Sequence, residues 1–165
     1  MIHFPNVMIR HISASLATVV VAMGLVLGGT MTEAPAAAAP TKASSFVNDT
    51  VKSTNVFRKN HSRARVKSST CLNRYAAQWA KHIAKKQKMV HRTPDSLRRV
   101  LKKCNLRAVG ENLAKGQTSG RATVDAWAKS PPHRKNLINN RYRQYGMASH
   151  WDGKRWWSVQ LLAGK

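Results

Sequence analysis

Among the seven histidines and six acidic residues of this 165-residue chain, the candidates for metal binding or proton transfer are His91, Glu111 and His133. A neutral imidazole can take a metal ion or a proton, and a carboxylate can do either as well. His133 falls in the first turn of a predicted helix, where the helix dipole disfavours the imidazolium ion. The spacing of the three residues does not by itself bring them together, and each has a structural alternative. For Glu111, between Gly110 and Asn112, the alternative is a carboxylate that accepts backbone hydrogen bonds and pins a loop.

The elements that must position these residues are predicted to be helices first and a hairpin last. The clearest helix precedes His91 and carries an apolar stripe of Leu72, Tyr75, Ala76, Trp79, Ala80 and Ile83. Further helices are predicted from Phe46, over 96–103, around Trp127, and from Pro131 with Ser130 as N-cap. Residues 93–95 are predicted to form a turn, and Asp152–Gly153 to join two strands. This order is typical of an α+β fold.

The chain is strongly basic, with a net charge of +23 and only six acidic residues. Such a charge predicts affinity for polyanions such as anionic wall polymers, acidic lipid surfaces and nucleic acid. The charge does not identify a specific partner, and the sequence has no nucleic-acid-binding motif. We therefore expect anionic surface polymers or lipids as partners and no specific nucleic-acid partner.

The first 38 residues have the order of a secretory signal peptide, with Arg10, an apolar run over 12–29 and an alanine-rich segment. The alternative is a membrane anchor, since the apolar run is just long enough to span a bilayer. No Lys or Arg follows the run as a stop signal, which favours cleavage near Ala38. We expect a flexible mature N-terminus over 39–45, an extracellular protein associated with the cell wall, and a mature chain that does not span the membrane.

Two cysteines, Cys71 and Cys104, predict one disulfide in a secreted chain. The alternative is that the two cysteines form half of a metal site, but no CxxC spacing supports it.

Three segments together carry a resemblance to a known family: VGENLAKG, TVDAWAKSPPHRKNLINNRYRQYGMA and WWSVQLL. In this order they resemble the CAP superfamily of cysteine-rich secretory, antigen 5 and pathogenesis-related proteins, in its bacterial SCP-like extracellular branch. The resemblance covers roughly residues 46–163 and implies a domain over 46–165. It also implies a three-layer α-β-α sandwich of the CAP type.

The resemblance further implies a central cavity lined by two histidines and two acidic residues. His91 in MVHR, Glu111 in GENLA and His133 in SPPHR match three of the four positions, and Asn112 lies beside them. Ser130 stands where the second acidic residue would be. Two imidazoles and one carboxylate suit Zn²⁺ with an open position, whereas Mg²⁺ prefers more oxygen ligands.

Three functions remain open from the sequence. The first is a secreted CAP-domain binding module with a His/Glu cavity, which takes a divalent cation, and a basic surface for anionic partners. The second is a metal-dependent hydrolase that uses the same cavity, although no nucleophile motif is present. The third is a cationic polyanion-binding or antimicrobial protein, for which Trp151, Trp156 and Trp157 are predicted surface aromatics.

Overall fold

The computed structural model describes residues 42–165, so the predicted signal peptide and residues 39–41 lie outside the described part. Five helices and four strands occupy residues 42–165. In chain order they are α1 (Ala43–Asn60), β1 (Lys67–Ser68), α2 (Thr70–Lys85), α3 (Pro94–Lys103), β2 (Ala108–Lys115), α4 (Gly120–Lys129), α5 (Pro131–Leu137), β3 (Gln144–Trp151) and β4 (Trp156–Gly164).

The strands form one four-stranded mixed sheet in the order β1-β3-β4-β2. Strand β1 is parallel to β3, and β4 is antiparallel to both β3 and β2. All nine residues of β4 are buried, which follows from its place inside the sheet with helices over both faces. Strand β2 lies at one edge of the sheet.

The side chains of β4 alternate between two apolar clusters. Trp157, Val159 and Leu161 pack with α2 and α3 on one face of the sheet. Leu162 packs on the other face with residues of α1, α4 and α5, among them Trp127 of α4. The predicted α+β class and the three-layer α-β-α sandwich are therefore confirmed.

Helix α2 follows its predicted stripe, and the Ser69 side chain accepts a hydrogen bond from Leu72 N to cap it. Cys71 in the first turn of α2 is bonded to Cys104 at the end of α3, with Cα atoms 5.8 Å apart. The predicted disulfide is thus confirmed, and it ties together the two helices that flank His91.

Two helix boundaries differ from the sequence-based expectation. Residues 93–95 do not form a separate turn, because α3 already begins at Pro94 and the Thr93 side chain caps it by accepting a bond from Ser96 N. Proline is well placed at this first helical position since it has no N–H to leave unpaired. Helix α1 begins at Ala43, so it includes residues 43–45 of the predicted flexible segment.

The buried face of α1 carries several polar residues. Val56 is 52% exposed, whereas Thr50, Thr54 and Arg58 are fully buried. Each of these polar groups has a partner, as buried polar atoms require: Thr50 Oγ1 donates to Phe46 O, and the others bond across the domain.

The predicted hairpin is present, with residues 152–155 between β3 and β4 and Gly153 at a φ of 96°. The prediction of surface aromatics is wrong for two residues, since Trp156 is 6% and Trp157 0% exposed. Both lie on β4, which the helices cover on either face. Trp151 is more exposed than these two and is half-buried. Within residues 42–165 no helix is long and apolar enough to cross a membrane.

Candidate functional site

At the free edge of strand β2, His91 contacts Glu111, and the ring of His133 lies near that of His91. Glu111 lies in this strand, and its carboxylate accepts a backbone hydrogen bond from Arg92 N in the connection between α2 and α3, as its structural alternative predicts. Successive residues of a strand face opposite sides, and Glu111 points to the layer of α2 and α3 whereas Asn112 points to the layer of α5. Because β2 is an edge strand, His91 from one layer and His133 from the other can approach each other around it.

Glu111 is buried, with 2% of its side chain exposed, and its carboxylate is held by residues 91 and 92. Its Oε1 atom accepts hydrogen bonds from His91 Nδ1 at 2.9 Å and from Arg92 N at 3.0 Å. Its Oε2 atom lies 3.4 Å from Arg92 Nε as an ion pair. A carboxylate only accepts hydrogen bonds, so the His91 proton is on Nδ1 and, in the neutral ring, Nε2 keeps a lone pair.

Arg92 is a site residue that the sequence reasoning missed. Its side chain is 6% exposed, and its guanidinium lies over the Trp79 ring at 4.7 Å and the Tyr75 ring at 5.8 Å. It also donates to the backbone oxygen of Tyr75. A buried cation needs such compensation. The sequence signal that could have identified Arg92 as a site residue is its position directly after His91.

His133 lies in the first turn of α5, and its ring centroid is 6.4 Å from that of His91. Burial lowers the pKa of His133 below its ordinary value, and the nearby His91 lowers it further. The ring therefore favours the neutral form that metal binding requires, in agreement with the sequence argument. The exposed fraction of the His91 side chain is 56%, so the pair is open to solvent on the His91 side.

A buried chain of amide side chains supports the site from the α5 side. Asn112 Nδ2 donates to Gln160 Oε1 at 3.1 Å and to the backbone oxygen of His133 at 3.4 Å. Asn136 of α5 donates to Asn112 Oδ1 at 2.9 Å and to the Glu111 backbone oxygen at 3.2 Å. Asn112 thus fixes the distance between β2 and the helix that carries His133.

Gly110 makes this close approach of α5 possible. A Cβ atom at position 110 would lie 2.5 Å from Asn136 Oδ1 and 2.8 Å from the Tyr142 hydroxyl. The glycine of GENLA is therefore a packing requirement of the site.

Ser130, the position of the missing second acidic residue, lies between α4 and α5 as predicted. It is the N-cap residue of α5, but its side chain makes no capping hydrogen bond. The other histidines of the described residues stay apart: His82 stacks on Trp79, His61 Nδ1 bonds Phe57 O, and His150 is in β3.

The geometry gives the carboxylate and the imidazoles different parts in any metal site. Within residues 42–165, no three His, Cys, Asp or Glu side chains are grouped closely enough to hold a metal ion together. Glu111 faces the Nδ1 side of His91, and its second oxygen faces a guanidinium. The donors fit a two-imidazole site in which Glu111 orients a histidine, an arrangement common around metal-bound histidines.

Comparison with known proteins agrees with this architecture. The model of the family described as CAP, the cysteine-rich secretory protein family, matches residues 51–161. The chain belongs to this family. Membership confirms the resemblance that the GENLA and SPPHRKNL segments carry.

Solved structures of other bacterial proteins share the fold. An extracellular protein containing a SCP domain from Bacillus anthracis str. Ames has a TM-score of 0.65 at 22% identity, over 74% of this chain and 41% of that one. An outer surface protein from Borrelia burgdorferi has a TM-score of 0.63 at 20% identity, over 70% of this chain and 89% of that one. Among curated proteins, the uncharacterized protein YkwD of Bacillus subtilis (strain 168) is 28% identical over 131 residues. That match covers 77% of this chain but only 50% of the relative, so the chain spans about half the relative's length.

Proposed function

We propose that this CAP-family protein is an extracellular binding module whose ligand site is the His91–His133 pair. The observation that carries the proposal is the placement of Glu111, which is buried behind His91 and directs the free Nε2 of that ring away from the carboxylate. An extracellular location is supported by the family and by the structural relatives described as extracellular or outer surface proteins.

We propose a divalent cation, Zn²⁺ in preference to Mg²⁺, as the occupant of this pair. Imidazole nitrogens suit Zn²⁺, whereas Mg²⁺ takes oxygen ligands in octahedral geometry. His91 and His133 would hold the ion, and the ion would supply a Lewis acid to which a donor atom of a ligand can bind. The protein's own contribution is to keep one ring neutral and to fix the other through Glu111.

The same geometry favours binding over hydrolysis. A general base must lie within hydrogen-bond reach of the proton it removes. The carboxylate of Glu111 is shut off from solvent and is already held by His91 and Arg92. Both cysteines of the chain form the disulfide, so neither offers a thiol nucleophile.

The test is a calorimetric titration of the purified protein with Zn²⁺ and, separately, Mg²⁺. We expect Zn²⁺ binding that His133→Ala abolishes and that Glu111→Gln weakens by about 10- to 100-fold, the range for residues that orient a ligand. A direct carboxylate ligand would instead give the same loss for both variants.

His150→Gln is the matched control, because it removes an imidazole from β3 outside the site. Wild-type Zn²⁺ affinity in His133→Ala would contradict the proposal. Equal losses in His150→Gln and His133→Ala would do so as well, since they would show binding to dispersed surface histidines.

A further inference from the structure

A second surface, which shares no residue with the histidine pair, gathers cations from two segments of the chain. Arg65 lies just before β1 and Lys67 is its first residue, and the segment between α5 and β3 contributes Arg141 and Arg143. Lys67 N donates to Arg143 O, and Lys67 pairs with Gln144 in the parallel β1–β3 ladder. The two basic segments therefore lie side by side.

These cations point to solvent because each pair flanks a buried residue. Val66, between Arg65 and Lys67, is 3% exposed, and Tyr142, between Arg141 and Arg143, is 5% exposed. Arg65, Lys67, Arg141 and Arg143 are themselves exposed, so each segment presents two positive charges to solvent.

Together they line two adjoining depressions, here called the cationic groove and defined by Arg65, Lys67, Arg141 and Arg143. It consists of two cavities, of about 570 Å³ and 420 Å³, which share Arg143 and Gln144. None of the five acidic residues in the described part of the chain lines either cavity or forms an ion pair with these cations.

A further buried cation beneath the groove adds to its positive potential. Arg58 is fully buried and donates only to backbone oxygens, those of Ala64, Leu137, Asn139 and Tyr142. Burial lowers the pKa of Arg58, and the charges of Arg143 and Arg63 lower it further. The described residues provide no carboxylate to offset this charge, so an external anion would be stabilised here.

We propose that the cationic groove binds a linear phosphodiester polymer, of the polyol-phosphate type, through its phosphates. Arginine matches phosphate because its planar fork can donate two parallel hydrogen bonds. The inference rests on the proposed function because it assumes an extracellular location. It uses neither residue of the histidine pair.

The lining residues favour this polymer over other polyanions. Among the described residues, no aromatic side chain lines the two cavities, so the groove offers no stacking platform for nucleic-acid bases. The large apolar side chains exposed in the described part are Val56, Met89 and Val90, and none lies in the groove. The surface therefore has no apolar anchor for insertion into a membrane.

The test measures the binding of poly(glycerol phosphate) to the purified protein over a range of salt concentrations. The decisive variant is R65Q/K67Q/R141Q/R143Q, and its matched control is K81Q/K85Q/K102Q/K103Q, which removes the same charge from exposed positions of α2 and α3. We expect the groove variant to lose at least about 30-fold in affinity at low salt, with the slope of log K against log salt falling by roughly 0.7 for each lost phosphate contact. We expect less than about a threefold loss in the control, through its long-range charge effect alone.

Folding and alternative ligands are controlled separately. R65Q/K67Q avoids the backbone hydrogen bonds of Arg143, so it tests the groove even if the fourfold variant is unstable. Poly(glutamate), single-stranded DNA and anionic vesicles of phosphatidylglycerol serve as competing probes at equal charge concentration.

Equal losses of polymer affinity in the groove variants and the control would overturn the proposal, because they would show that binding depends only on the net charge of the protein. Tighter binding of poly(glutamate), DNA or vesicles than of poly(glycerol phosphate) would overturn it too. Zn²⁺ binding by the wild-type protein is measured in parallel. Wild-type Zn²⁺ binding without polymer binding would refute the groove alone, and wild-type polymer binding without Zn²⁺ binding would refute the histidine site alone.

Discussion

His91 Nδ1 lies 2.9 Å from Glu111 Oε1, and this contact joins the connection between α2 and α3 to the edge strand β2. It places a half-exposed ring against a carboxylate that is almost completely shut off from solvent. Arg92, next in the chain, donates its backbone N–H to the same oxygen. One carboxylate therefore fixes both the orientation of a histidine and the path of the chain beside it.

Removal of the Glu111 carboxylate will destabilise the domain. Glu111→Ala leaves the Arg92 guanidinium buried without its carboxylate, and breaking a buried pair from one side costs about 3 kcal/mol. Urea unfolding of wild type and variant measures this loss. Asp95→Ala, which breaks the exposed pair with Arg98, is the control and is expected to cost less than about 1 kcal/mol. Equal unfolding free energies for Glu111→Ala and wild type would show that Arg92 does not depend on this carboxylate.

The stability of the hairpin will depend on pH through Asp152. Desolvation raises the pKa of Asp152, but hydrogen bonds from the Gln87 side chain, the Trp157 indole and the backbone N–H groups of Arg155 and Lys154 outweigh it. They hold the pKa well below its ordinary value. The stabilisation is therefore complete above about pH 4, the ordinary pKa of aspartate, and is lost as the pH falls toward the folded-state pKa.

Urea unfolding of wild type and Asp152→Asn over this acidic range measures the effect. The difference in unfolding free energy should shrink as the pH falls below about 4. Asp125→Asn, on the exposed side of α4, is the control. A difference for Asp152→Asn that is independent of pH would mean that its hydrogen bonds do not favour the ionised form.

Arg58 will be required for folding although no carboxylate pairs with it in the described part of the chain. Arg58→Met leaves backbone oxygens at the end of α5 without donors, at a cost of at least about 3 kcal/mol. Arg58→Lys should recover only part of this, since an ammonium group cannot reproduce the planar fork. Thermal unfolding compares these variants with Lys59→Met, an exposed neighbour on α1. Wild-type stability in Arg58→Met would contradict the structural role.

Loss of the disulfide will weaken the α2–α3 unit. The bond closes a loop with a sequence separation of 33 residues, for which chain entropy predicts about 3–4 kcal/mol. Cys71→Ser/Cys104→Ser is compared with wild type by urea unfolding, with and without reductant. Reductant should lower the stability of wild type to that of the variant and leave the variant unchanged. A wild type insensitive to complete reduction would refute the prediction.

Patterns that are local in the sequence predicted local structure well. The apolar stripe of α2 predicted its helix, Ser130–Pro131 predicted the start of α5, and Asp152–Gly153 predicted the hairpin. Each of these signals needs only neighbouring residues to act. The proximity of His91 to Glu111 and His133 was predicted only from the family resemblance. It depends on the edge of a strand, which the spacing of residues in the sequence does not reveal.

Features that depend on partners from other layers escaped sequence reasoning. Strand β2 has no polar–apolar alternation, and its polar residues Glu111 and Asn112 are both buried, by the connection between α2 and α3 on one face and by α5 on the other. Trp156 and Trp157 were predicted to lie on the surface because the sequence pattern does not show that helices cover both faces of β4. Arg92 is buried only because a carboxylate and two aromatic rings, distant in sequence, surround it.

The position of β4 in the sheet sets the order in which the domain can fold. This strand comes after all other described elements in the sequence, yet it lies between β3 and β2 and supplies side chains to both apolar clusters. Neither β2 nor β3 has its antiparallel partner until residues 156–164 have been synthesised. Without residues 156–164 the sheet therefore lacks the strand that joins β3 to β2, and neither apolar cluster is complete, so loss of this last strand should prevent the whole domain from folding.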